Sequence, residues 1–365
     1  MKFYVGDYTS LGGPGVCECE LKNDELRLVQ TADVRIIDPS YLILSADRRT
    51  LFAVTGSESD GEKGDSVASF DLTDGGLRLT SMRSTAGSSA CHLTLSPDER
   101  FLYAACYNSG SLAVFPVDGG RIGPRVQRIQ HEGHGPNASR QAGPHTHFVQ
   151  FHPGDGRLYA VDLGMDAVMI YRQDPETGLL AADERVNVPE GMGPRHLAFQ
   201  DDMMYVAHEL GGAVSVFRST AGGWTLEQTI STLLEGCGSE GAVAAIRVLR
   251  DRLYVSNRQN DCIAEFEIRR GGSLSLERTF SVFGSFPRDF VLLDEGLLLV
   301  ANQNSGDVRL IEAPPLGKPP LRKLYLRGTR PIVGGQYTDA AFNEVCQIGE
   351  ALSIPGAVCV CPAAE

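Results

Sequence analysis

Short apolar runs return along this chain in one pattern, each ending on a polar residue: FYVGDY from Phe3, LFAVTG from Leu51, LYAACY from Leu102, LYAVDL from Leu158, MYVAHE from Met204, LYVSNR from Leu253 and LLVANQ from Leu298. The residues that follow the apolar cores, Asp7, Thr55, Cys106, Asp162, His208, Asn257 and Asn302, stand 45 to 56 residues apart. A turn such as SADRR, SPDER or HPGDGR precedes most runs, and before the turn lies a second apolar strand: SYLIL, CHLTL, HFVQF, HLAF, AIRVL or DFVLL. An alternating strand such as SVASFDL, SLAVFPV, AVMIYRQ or AVSVFRS follows, then a weaker fourth. Period-two alternation between turn signals, with no 3.6-residue periodicity, predicts an antiparallel four-stranded meander in every repeat.

One such unit cannot bury both of its faces. Packed radially against its like it forms a blade, so seven repeats predict an all-β, seven-bladed β-propeller of four-stranded antiparallel blades. The expectation is a single domain over residues 1–365. Only Met1 and Lys2 precede Phe3, so the first blade lacks an inner strand; the segment PGAVCVCP predicts that a C-terminal strand near residues 357–361 closes the ring. Residues 327–354 are less regular and read as a long connection with one helical turn near 339–345.

The repeat register also maps space. The residue before each inner apolar core is Ser40, Cys91, His147, Arg195, Ala244 or Arg288 in successive repeats. The residue after the aligned polar position is Tyr8, Gly56, Tyr107, Leu163, Glu209, Arg258 or Gln303. Antiparallel pairing puts the end of the second strand beside the start of the first, so both columns belong to one mouth of the channel. There His147, Arg195, Glu209, Arg258 and Arg288 should converge, with the glycine-rich stretch from Gly133 supplying Arg140 and His145 at the rim. Asp162, His208, Asn257 and Asn302, one position back, read as hydrogen-bonding ties between blades.

Composition narrows the chemistry. A formal net charge of −13 opposes nucleic acid or an anionic membrane as partner, since both need a basic face. MKFYVGDYTS has no apolar run behind it to read as a signal peptide, and no stretch is long enough for a membrane span, so a cytoplasmic protein is expected. Nine cysteines include no CxxC pair; Cys17/Cys19 and Cys359/Cys361 read as buried thiols on one strand face each. The sequon at Asn137 adds nothing in such a chain. His145 and His147, with Glu209 and the nearby His131 and His134, have donor atoms for a metal, but converging arginines would repel a cation; no metal and no cofactor are expected.

The motifs GPNASRQAGPHTHFVQFHP, LYAVDLGMDAV, GPRHLAF, AHELGGAVSVF, LYVSNRQNDCIAEF and FPRDFVLL together resemble the lactonase family of seven-bladed propellers, which includes propeller-type 6-phosphogluconolactonases and carboxymuconate lactonizing enzymes. Turns at Asp201-Asp202 and Arg250-Asp251 depart from the family's pattern without touching these motifs. The resemblance implies hydrolysis of a small anionic lactone, with His147, Glu209, Arg195 and Arg258 as the catalytic set. Arg288, His145, Arg140, Tyr8, Tyr107 and Gln303 are further candidates for substrate contact. Arginine stays protonated, so Arg195 and Arg258 suit an anion or oxyanion clamp. Glu209 and His147 are left to move protons, Glu209 activating water and His147 protonating the ring oxygen, or the reverse. A lactonizing cycloisomerase acting on carboxymuconate, and a non-catalytic binding scaffold, are the alternative functions.

Overall fold

The computed structural model describes residues 1–234, 242–294, 296–314 and 345–363. Its strands form seven antiparallel sheets arranged as the blades of a propeller, as the repeats predict. Each aligned run is the second strand of its own blade: Lys2–Asp7, Thr50–Thr55, Phe101–Cys106, Leu158–Asp162, Met203–His208, Arg252–Asn257 and Leu297–Asn302. Helix among the described residues amounts to two 3-10 turns, Thr9–Leu11 and Thr73–Gly75. The strand Ala357–Pro362 lies innermost in blade 1, antiparallel to Lys2–Asp7, with Phe3 opposite Pro362 and Val5 opposite Val360.

The strongest sequence runs are second strands because neighbouring blades cover both of their faces. Thr50–Thr55 and Phe101–Cys106 are buried at every position, whereas the outermost strand of blade 1, Glu25–Thr31, has no buried residue. An apolar cluster fills each of the seven interfaces between blades. Tyr205, Val214 and Val216 of blade 5 pack on Ile246, Leu253 and Phe266 of blade 6, and Phe3 and Val5 of blade 1 pack on Leu299 and Leu310 of blade 7. Each fully buried side chain of this size contributes about 1.5–3 kcal/mol, so the ring is held by its interfaces. The paired cysteines do sit on one face each, Cys17 and Cys19 in the interface with blade 7 and Cys359 and Cys361 in that with blade 2.

Two expectations need correction. Residues 346–353 are not connection: Cys346–Ser353 is the outer strand of blade 7, pairing with Asp307–Glu312. Its alternation is broken by a register shift, where the partners step from Leu352 to Ile348 past Gly349 at a φ of 65°. The helical turn placed near 339–345 falls on residues outside the described ones, apart from Val345. The supposed ties between blades also divide. Asp162 accepts from the backbone N–H of His145 and from His131, and Asn257 accepts from Thr232, so these two join successive repeats. His208 instead bonds Ser215, and Asn302 bonds Asp307, each inside its own blade. The regular tie is an aspartate opening the third strand, which accepts a backbone N–H where the next blade begins: Asp65 from Ala90, Asp166 from Gly191 and Gly193, Asp261 from Phe286.

Candidate active site

Six of the seven inner strands begin with a bulge. Pairing steps from Thr146 to Phe148 in blade 4, from Pro194 to His196 in blade 5 and from Pro287 to Asp289 in blade 7, leaving His147, Arg195 and Arg288 out of register. Cys91, Ala244 and Val358 fall in the equivalent bulges of blades 3, 6 and 1. A bulge breaks period-two alternation and re-aims the side chain it carries. The repeat column read from the sequence is therefore a ring of bulge residues around one mouth of the channel.

That mouth holds a cavity of about 430 Å³, whose lining includes Tyr8, Tyr107, Arg140, His147, Glu209, Arg258 and Arg288. Arg195 lies behind this lining, 2% exposed. Glu209 is the hub. Its Oε1 accepts from Arg140 Nη2 at 2.6 Å, and its Oε2 lies 2.7 Å from Arg258 Nη2 and 3.2 Å from Arg195 Nε. Burial alone would raise this carboxyl, but the guanidiniums of Arg258, Arg195 and Arg140 outweigh it and hold Glu209 at about 2. Burial, and then Arg258 and Arg288, pull Arg195 down to about 9, where it still carries its charge at neutral pH.

His147 is 5% exposed, and its Nδ1 has no partner among the described residues. Burial pushes it well below the usual 6.5, and Arg195, Arg288 and Arg258 push the same way, so the imidazole is neutral. Arg195 Nη1 donates to Nε2 of His196 at 3.2 Å, which fixes that neighbouring imidazole as an acceptor. Arg288 is different from the other three arginines. It is half-buried, its guanidinium rests 5.3 Å from the centre of the Tyr8 ring, and among the described residues it has no carboxylate partner.

The long loop after Gly133 delivers Arg140. Its two ends are pinned on one buried carboxylate, since Asp162 bonds His131 Nδ1 at 2.7 Å and the backbone N–H of His145 at 2.7 Å. At the tip, Asn137 Oδ1 accepts from the backbone N–H groups of Ser139 and Arg140, and Gln141 Nε2 donates to the carbonyl of Leu163. Arg140 Nη2 then reaches both Glu209 and the Tyr107 hydroxyl, the latter at 3.2 Å.

Not every candidate arrives. His145 stacks on Tyr107 with ring centres 4.5 Å apart and bonds its backbone carbonyl through Nδ1, so it braces the rim outside the lining. Gln303 is also absent from the lining; its backbone N–H donates to Phe286 and its buried Oε1 has no partner among the described residues. Conversely, Asp38, Asp65 and Ser89 line the cavity and were not anticipated. A column drawn at the start of the third strands would have found Asp65. Asp38 and Ser89 stand two residues before the ring positions Ser40 and Cys91, a place no apolar pattern marks. Among the described residues no cluster of His, Cys, Asp and Glu has the arrangement of a metal site.

Comparison with known proteins agrees with this architecture. The family model described as lactonase, 7-bladed beta-propeller, matches residues 2–323. A 6-phosphogluconolactonase of Bacillus subtilis is 32% identical over 319 residues, 85% of this chain and 90% of its own length. The solved periplasmic gluconolactonase of Pseudomonas aeruginosa superposes with a TM-score of 0.82 at 26% identity, covering 99% of this chain and 98% of its own. A Lactobacillus plantarum protein superposes with a TM-score of 0.83 at 25% identity, covering 98% of both chains.

Proposed function

Because the chain belongs to the lactonase family of seven-bladed β-propellers, we propose that its arginine-lined mouth hydrolyses 6-phospho-D-glucono-1,5-lactone to 6-phosphogluconate, as a cytoplasmic step of the pentose phosphate pathway. Family membership supports lactone hydrolysis. The observation that carries the choice of an anionic substrate is Arg288, a cavity-facing cation without a carboxylate partner among the described residues, in a mouth where Glu209 already serves the other three arginines. A phosphate takes Arg288 as its counter-ion, and Arg140, half-exposed on its loop, lies within reach of the same cavity.

Lactone opening needs a base for water, a stabilised oxyanion and an acid for the leaving alkoxide. Glu209 is a weak base with a value near 2 and both oxygens engaged. Its role in this reading is to hold Arg258 and Arg195 as a fixed clamp for the carbonyl oxygen as it gains charge. His147, neutral and in the cavity lining, takes the proton from water as the water oxygen bonds the carbonyl carbon. When the ring C–O bond breaks, the same imidazolium returns the proton to the alkoxide. The bound phosphate and the oxyanion both offset the arginines that depress His147, so its basicity rises when it is needed. Residue type alone divides the two proton transfers between Glu209 and His147; in this reading His147 makes both.

The test is a stopped assay of the phosphorylated and unphosphorylated gluconolactones, corrected for spontaneous opening, with carboxymuconate as a third substrate. The expected outcome is preference for the phosphorylated lactone, lost in Arg288→Gln through a KM raised at least tenfold. Turnover of carboxymuconate alone would replace this reading by the cycloisomerase, and no turnover above background on any of the three would leave a binding scaffold.

A further inference from the structure

The mouth is divided by blade. Blades 4 to 7 supply every cation of the site, Arg140, Arg195, Arg258 and Arg288, together with His147 and Glu209. Blades 1 to 3 supply no cation to the lining; they present Tyr8, Asp38, Ser40, Asp65, Ser89 and Tyr107. One half-ring is built for negative charge. The other offers carboxylate and hydroxyl oxygens, the acceptors that a polyol needs, and it repels a second anion.

Part of that second wall is explained by the fold. Asp65 is the blade-2 form of the aspartate tie also made by Asp166 and Asp261. Asp38 is not part of that series. It stands two residues before the inner-strand ring position, where the backbone turns into the left-handed region in several blades: φ is 45° at Asp38, 54° at Ser89, 56° at Gly193 and 65° at Phe286. Glycine adopts this conformation at no steric cost, as blade 5 does with Gly193, and of these four positions only blade 2 places a carboxylate there. Asp38 accepts from Thr9 Oγ1 and from the Ser10 backbone N–H, both through Oδ1, and Oδ2 has only a 3.4 Å contact from Ser10 Oγ. Ser40, two residues on, has only a 3.5 Å contact to the carbonyl of Ala90. Both side chains have unused bonding capacity at the cavity.

We propose that blades 1 to 3 form a hydroxyl-reading wall, in which Asp38 and Ser40 accept hydrogen bonds from the polyol of a ligand whose anion rests on Arg288. This deepens the sugar-lactone reading and rests on it for the identity of the substrate. The ligand class is a chain or ring with one anionic group and several free hydroxyls. A site that gives its acceptors to hydroxyls discriminates against an analogue lacking them, because acceptors covered by the bound ligand are then left without partners.

Two phosphates that cannot react isolate the effect from catalysis: glucitol 6-phosphate and hexyl phosphate share the anion and the six-carbon chain and differ in hydroxyls. By isothermal titration, wild type is expected to bind glucitol 6-phosphate at least tenfold tighter. Asp38→Asn, which keeps the shape and tolerates the backbone angle, and Ser40→Ala should each reduce that ratio several-fold. Arg288→Gln should weaken both ligands and leave the ratio standing. Equal binding of the two phosphates, no binding of either, or a ratio unmoved in both wall variants overturns the proposal. A preserved ratio in a protein that opens no lactone would overturn the lactonase reading and not the wall.

Discussion

The same seven inner strands build both ends of the channel, and the two ends differ in kind. At the far end the strands, apart from a register shift between Leu292 and Asp294 in blade 7, run in regular alternation and line a cavity of about 800 Å³ with residues such as Leu93, Val149, Leu197, Ile246 and Val291. Its one cation is paired, Arg247 with Asp289 at 2.6 Å. At the mouth, bulges drop His147, Arg195 and Arg288 out of the ladder, and three guanidiniums meet Glu209 there while Arg288 has no carboxylate partner among the described residues. A single backbone device, applied at one end of six of the seven strands, separates a surface that only stabilises from one that can act on a ligand. The excess positive charge at the mouth is a standing cost that a bound anion would relieve.

The largest effect should come from removing what both ends share. Truncation before residue 355 strips the inner strand from blade 1, and with it Ala357 and Val360 from the interface with blade 7 and Cys359 and Cys361 from that with blade 2. We expect the propeller to behave as one cooperative unit, so the truncated chain should show no cooperative urea transition by circular dichroism. A truncated protein that unfolds in a sharp, near-native transition would mean that the ring does not depend on its closing strand.

Next come paired substitutions across the channel. Glu209→Gln leaves three arginines facing one another and should cost about 3–5 kcal/mol in urea unfolding, with lactone turnover lost. Asp289→Asn leaves only Arg247, a quarter exposed and stacked 5.7 Å from the centre of the Phe290 ring, so water takes over part of the pairing. Its cost should be about 1–3 kcal/mol with turnover retained. Likewise, His147→Gln should lower kcat by about 10²–10⁴, while His92→Phe at the far end should leave it within twofold. Equal losses of activity from the two ends would erase the division drawn between them.

How much of this division was legible in the sequence follows from what periodicity can carry. Second strands such as LYAAC and LYAVD, buried on both faces, announce themselves as apolar runs, and their polar last residues supply the register that placed His147, Arg195, Glu209, Arg258 and Arg288 at one mouth. The bulges that turn those side chains inward leave no mark on the apolar pattern, because one extra residue looks like ordinary variation in repeat length. Asp38 and Ser89 lie in connections without any period, His145 is held at the rim by its bond to the Tyr107 carbonyl, and Gln303 satisfied the column rule yet stays outside the lining. The proton roles were beyond residue type altogether. They depend on three guanidiniums meeting one carboxylate, a convergence across blades 4, 5 and 6 that distances alone reveal.

The smallest effect tests why the far end stays quiet. His92 is 3% exposed, its Nδ1 accepts from the Val149 backbone at 3.4 Å, and its ring centre lies 3.9 Å from that of Tyr41 and 4.1 Å from that of Phe148. Burial, followed by the charges of Arg247 and Arg195, pushes it well below 6.5. In the unfolded chain the same imidazole takes up a proton near pH 6.5, so below that pH the unfolded state binds a proton the folded state refuses, and stability falls as pH falls. The loss from this one group approaches about 1.4 kcal/mol per pH unit and should reach about 2 kcal/mol by pH 5. His92→Phe keeps the aromatic stack and removes the proton. Whatever it costs at pH 7.5, its stability measured against wild type should improve by about that amount when urea unfolding is repeated at pH 5. If the difference between the two proteins is the same at both pH values, His92 is protonated in the folded state or reached by water, and the far end is not the apolar-lined surface contrasted with the mouth.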